Sequence, residues 1–146
     1  MQAALNAANS SAKAEICVKR NEWGKALEHA ASACREDPDQ PEYEAMHAWL
    51  LAREVKNQDR KAFLPMIERL VKAVKAQPDN LRVRMYRART LKLAGMVNEA
   101  LRDFKAIADE DQSNLEAKRE LRLFKMRAGD DGSGDDKSIL GRFFKR

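Results

Sequence analysis

The groups in this chain that could move protons, bind a metal or attack a substrate are two histidines, His29 and His47, two cysteines, Cys17 and Cys34, and many carboxylates. Acid–base catalysis needs such groups within hydrogen-bond reach of each other in a pocket that shifts their pKa. A zinc site needs three or four of them at close spacing. Neither histidine stands at metal spacing from a cysteine or carboxylate, and no Cys-x-x-Cys, His-Glu-x-x-His or phosphate-loop pattern occurs. His47 reads as a hydrogen-bonded structural residue, and the two cysteines read as buried, reduced thiols. The acids fall at helical distances from Lys and Arg, as in Glu116–Arg119–Glu120, which suits a solvated helix face. The sequence therefore points away from an enzyme and implies neither cofactor nor metal.

The remaining chemistry is charge. The net charge is +5 and unevenly placed. Arg82, Arg84, Arg87, Arg89 and Lys92 follow one another with no acid among them, and Lys137, Arg142, Lys145 and Arg146 crowd the end. Basic stripes attract nucleic acid, acidic lipid or acidic protein. No nucleic-acid motif accompanies this one, and the acid pairs at 130–131 and 135–136 offset the tail. An acidic protein partner is the stronger expectation.

These groups must be carried by helices. Ala, Leu, Lys, Arg and Glu dominate, Pro and Gly are sparse, and few segments alternate with period two. The start, MQAALNAANSSAKAE, has neither the basic nor the apolar region of a signal peptide. No run is long and apolar enough to span a membrane, and the cytoplasm is the expected location.

One layout recurs three times. Ala14, Ala26 and Pro38 are evenly spaced, as are Ala88, Ala100 and Gln112; Ala48, Met66 and Pro78 keep the second interval but stretch the first. "REDPDQ", "KAQPDN" and "DEDQSN" close the units, which open near Ala7, Pro41 and Leu81. Small residues at the two inner positions let the helices of a hairpin approach within the usual 8–10 Å or so. The turns "NEWG" and "AGMV" want a residue at positive φ, so Gly95 is a helix stop. "SNLE" at 113–116 reads as a capping box, with Ser113 as the cap and Glu116 reaching back.

This layout, carried by Ala14, Ala26, Ala33 and Pro38 and by Ala88, Leu91, Gly95, Ala100, Phe104 and Ile107, resembles the tetratricopeptide repeat (TPR), a helix-turn-helix unit of about 34 residues. The resemblance covers about residues 7–128 and implies an all-α fold. That fold is a right-handed α–α superhelix of about three TPR-like hairpins, units 7–40, 41–80 and 81–114, closed by a capping helix at 114–128. Residues 129–138 then read as a flexible linker and 139–146 as a short basic, aromatic tail. Helices are expected at about 4–20, 23–36, 41–56, 64–76, 81–94, 97–110 and 114–128. In the seventh, Ala117, Leu121, Phe124 and Ala128 share one face. Unit two departs from the pattern through Met66, Pro65 and extra residues between Glu54 and Phe63. Pro65 is expected in the first turn of its helix, and the extra residues in the connection before it.

The resemblance also implies a function: a scaffold or adaptor whose first helices line a groove for a segment of another protein. In the TPR-like register the inward residues are Ala8, Ser11, Ala12 and Glu15; Glu42, Ala45, Met46, Trp49 and Arg53; and Arg82, Met85, Tyr86, Arg89, Lys92 and Leu93. The expected partner-binding set is Met46, Trp49, Arg53, Arg82, Tyr86 and Arg89, aromatic and Arg residues being the usual interface anchors. The same rings could instead pack between helices. The expected partner is a protein or peptide segment of acidic and apolar character, with a co-chaperone-like role. Certain co-chaperones of the family clamp the acidic end of heat-shock chaperones. At the matching places stand Ser11, Glu15, Met46, Arg82 and Tyr86, of which only Arg82 fits, so that clamp is not expected. Alternatives are a homo-oligomer formed through the "ILGRFFKR" tail, or a basic face that binds nucleic acid or an acidic surface. A narrower likeness, over "YRARTLKLAG" to "LGRFFKR", is to the C-terminal TPR region of bacterial proteins carrying a J-domain or signalling domain. The His-Pro-Asp tripeptide of a J-domain is missing, since Ala follows both His29 and His47.

Overall fold

The structure is a computed structural model, and it describes residues 1–56 and 59–130. Among the described residues there is no strand. Seven helices follow one another: α1 (Gln2–Lys19), α2 (Trp23–Glu36), α3 (Pro41–Arg53), α4 (Arg60–Ala76), α5 (Leu81–Leu93), α6 (Val97–Glu110) and α7 (Leu115–Asp130). They form three hairpins, α1–α2, α3–α4 and α5–α6, each stacked on the next, with α7 laid against α6.

The recurring small residues hold the hairpins together. Ala14, Ala26, Ala48 and Ala88 are completely buried, and Ala33, Ala73 and Ala100 nearly so. Met66 occupies the second hairpin-contact position of unit two as a buried side chain, so the departure there is filled by a longer, adaptable residue. Two apolar clusters result. One runs from the first hairpin through the second to α5, with Ala14, Ala30, Leu50, Leu70 and Val83 among its members; the other joins α5, α6 and α7 through Met85, Phe104, Ile107 and Ala117. Ile67 and Met96 pack against both.

Several local expectations are corrected. Gly95 does take positive φ (76°), but in the first turn Asn21 (59°) plays that part, while Gly24 lies within α2. Asn is among the few side-chain-bearing residues that tolerate this region. The α4 helix begins at Arg60, a turn earlier than expected, because the Asp59 carboxylate caps it by accepting from the Lys61 N–H at 3.0 Å. Pro65 therefore lies inside the helix, past its first turn. It is exposed, which leaves the orphaned Lys61 carbonyl within reach of water. The extra residues of unit two are thus shared between a longer connection and a longer helix. At α7 the cap is Asn114, whose Oδ1 accepts from the Ala117 N–H at 3.0 Å; Ser113 instead donates to Asp111. The α7 helix runs to Asp130, into the expected linker. The rest of that linker and the tail at 139–146 lie outside the described residues.

Candidate functional site

The odd-numbered helices converge on a cleft of about 340 Å³. Its wall is built from Val18 of α1, Trp23 of α2, Trp49 and Arg53 of α3, Arg89, Lys92 and Leu93 of α5, Phe104 of α6, and Glu116 and Glu120 of α7. Every hairpin and the closing helix contribute, so the cleft exists only when the array is assembled.

Of the six residues expected to bind a partner, the structure brings Trp49, Arg53 and Arg89 into this wall. Met46, Trp49 and Tyr86 are only 2%, 5% and 6% exposed and belong to the first apolar cluster. Trp49 meets the Trp23 ring edge-on at 6.1 Å between centroids and the Tyr86 ring at 5.5 Å. These rings form the floor between helices. Burial also pushes the Tyr86 hydroxyl above its ordinary pKa, so it stays a neutral phenol.

Arg53 and Arg89 stand on that floor. The Arg53 guanidinium lies 3.5 Å from the Trp23 centroid and 5.9 Å from that of Trp49; Arg89 lies 4.8 Å from Trp49 and 5.5 Å from Tyr86. Cations over ring faces are held by the ring quadrupole while their edges stay available for hydrogen bonds. Arg82 stands apart from the cleft, in ion pairs with Glu15 and, at 3.8 Å, with Glu42.

The basic stripe of α5 is largely neutralised. Arg89 donates twice to Glu116, at 2.8 and 2.7 Å, and Lys92 donates to Glu120 at 2.5 Å. Arg87 makes a two-pronged bond to the buried Asp103 at 2.8 and 2.6 Å, and this hydrogen bonding raises its pKa above the ordinary value. With Arg82 paired to Glu15 and Glu42, four of the five cations have carboxylate partners. Glu116 and Glu120 thus reach across the cleft, where spacing alone suggested pairing with Arg119 along α7. A spacing rule finds neighbours on one helix and is blind to those on the next. Five wall residues, Val18, Trp23, Phe104, Glu116 and Glu120, fall outside the inward set of the TPR-like register; Trp23 and Phe104 lie on second helices and the two glutamates on the closing helix, where a register of first helices does not look.

A second polar cluster lies between α2, α3 and α4. Arg69 donates to Glu44 at 3.1 and 2.5 Å, and its Nη2 lies 3.0 Å from His47 Nδ1. Arg has no acceptor, so His47 Nδ1 accepts and the imidazole is neutral. Burial first, and the Arg69 charge second, lower the His47 pKa. Burial, helped by Glu44, pushes the neighbouring Cys34 thiol up to about 11, which keeps it protonated and weakly nucleophilic at neutral pH. Among the described residues no group of His, Cys, Asp or Glu is arranged to hold a metal ion. No described helix is long and apolar enough to cross a membrane.

Set against known proteins, the chain matches no family model and no curated protein. Among solved structures it is similar to the Arabidopsis OM64 TPR domain, with a TM-score of 0.64 at 16% identity, covering 86% of this chain and 98% of that one. The narrower likeness to bacterial J-domain proteins finds no support there. At that identity the likeness speaks to architecture alone, and it agrees with the buried alanines and the Gly95 turn: the chain has a TPR-like helical-repeat fold.

Proposed function

We propose that this chain is a protein-interaction module that holds a segment of another protein in the cleft lined by Trp23, Trp49, Arg53, Arg89 and Leu93. The observation that carries the reading is the cleft itself, which all three hairpins and α7 build together and which combines two indoles with the exposed guanidinium of Arg53. Interfaces concentrate their energy in such aromatic and Arg anchors. Met46 and Tyr86 serve as the floor of this site and Arg82 as a strut between α5 and the two preceding odd helices. With Arg82 engaged by Glu15 and Glu42, a chaperone-type carboxylate clamp is not part of the reading. A co-chaperone-like role through other contacts, and the cytoplasmic setting, belong to the same proposal.

The test is affinity capture from the source cell with the full chain and with Leu93→Asn. Leu93 is 41% exposed on the cleft wall, so the substitution leaves the core intact. Partners lost with Leu93→Asn, at unchanged helicity and thermal midpoint, support the reading. Partners retained in full by the variant overturn it.

A further inference from the structure

The cleft wall carries three cations, Arg53, Arg89 and Lys92, against two carboxylates, Glu116 and Glu120. Arg89 and Lys92 are engaged. Arg53 has no carboxylate partner among the described residues: its guanidinium is exposed and spread on Trp23. Stacking orders a guanidinium without neutralising it. Arg53 and Arg89 also flank one ring, at 5.9 and 4.8 Å from the Trp49 centroid.

The two glutamates show what this arrangement accepts. Glu116 and Glu120 are one turn apart on α7, with their Cβ atoms roughly 5–6 Å apart as on any helix face, and they meet two cations less than a turn apart on α5. Of the two, Glu116 is the more open: its side chain is 40% exposed, against 18% for that of Glu120, so water and a competing carboxylate can reach the Arg89–Glu116 pair although two hydrogen bonds hold it.

Resting on the reading of the cleft as a partner site, we propose that its occupant is an acidic segment with carboxylates about one helical turn apart. One carboxylate is taken by Arg53, and another displaces Glu116 from Arg89. Glu116 and Glu120 are an internal copy of the ligand, occupying the α5 cations until the partner arrives. Leu93 and the free edge of Trp23 cover the apolar side chains that flank the acids.

The test uses the full chain and two labelled alanine-based helical peptides, one with glutamates four residues apart and one with glutamines in their place, read by fluorescence anisotropy. The glutamate peptide is expected to bind and the glutamine peptide to bind at least about tenfold more weakly, the order of one charge-assisted contact. Arg53→Gln should weaken the glutamate peptide about tenfold, and Glu116→Gln with Glu120→Gln should tighten it by about the same factor. The double variant also raises the net charge, so Glu99→Gln with Glu110→Gln, exposed on α6 and outside the cleft wall, is the control. Helicity and thermal midpoint are measured for each, and Arg53→Gln decides the matter if the α7 pair unsettles that helix. The proposal is overturned if the glutamate peptide fails to bind, if Arg53→Gln leaves its affinity unchanged, or if the control tightens binding as much as the cleft pair. Should any of these occur while Leu93→Asn still abolishes partner capture, the cleft remains a partner site with a different occupant. Should Leu93→Asn spare capture as well, both readings fall.

Discussion

His47 holds its proton less tightly in the folded chain than in the unfolded one, because burial and Arg69 both oppose a second charge. The unfolded chain therefore takes up more protons as pH falls through about 6.5, the ordinary imidazole value. The stabilisation is fully present above that value and is lost as pH drops through the lower folded-state value. The expected result is a thermal midpoint that declines between about pH 7 and pH 5, and a shallower decline in His47→Gln. A slope unchanged by the substitution would assign the effect elsewhere. At the same scale, the aromatic residues divide by burial. With Trp49 5% exposed between Trp23 and Tyr86, Trp49→Ala should cost about 3–5 kcal/mol in urea unfolding. Loss of binding in that variant would say nothing about contact with a partner, whereas the exposed Arg53 gives a clean probe.

At the scale of elements, Pro65 is the feature most at odds with its surroundings. It removes one backbone bond within a helix otherwise well capped by Asp59. Pro65→Ala should raise stability by about 1–3 kcal/mol, measured by urea or thermal unfolding, since the site is exposed and the alanine can donate to Lys61. A fall in stability would show that the proline ring packs usefully. This helix also shows where reading residues in order runs out. The hairpins were legible because Ala14, Ala26, Ala88 and Ala100 recur at fixed distances, a pattern dictated by close approach of helices. The start of α4 was not, because Asp59 lies beside an insertion that hides the register, and a cap is recognised only once its helix is placed. The α7 boundary slipped by one residue for a related reason: Ser113 and Asn114 are both capable caps, and the competing bond from Ser113 to Asp111 decides between them. Of the cleft, Trp49, Arg53 and Arg89 follow from helical register, whereas the Glu116 and Glu120 partners depend on how α7 turns against α5.

At the scale of the whole molecule, neighbouring hairpins support each other, and among the described residues the end helices have support on one side only. The closing helix packs on α6 through Ala117 and Leu121 and meets α5 through two partly exposed ion pairs. In such arrays stability is a sum over units and their interfaces, and opening begins at the ends. Hydrogen exchange is therefore expected to be fastest in α7 among the described helices outside fraying termini, and slowest in α3 and α5, which are flanked on both sides. Uniform protection across all seven would contradict this. Raising the salt concentration should speed exchange in α7 selectively, because screening weakens the Arg89–Glu116 and Lys92–Glu120 pairs.

The sharing of Ile67 and Met96 between the two apolar clusters has a mechanical meaning. A rod built on one continuous interior resists bending along its whole length; here the interior is divided in two, and these two side chains pack against both parts. Met96, unbranched and soft, gives readily, while Ile67, stiff at its first torsion, does not. Exchanging the two residue types is therefore expected to change how stiffly the two parts of the array are coupled.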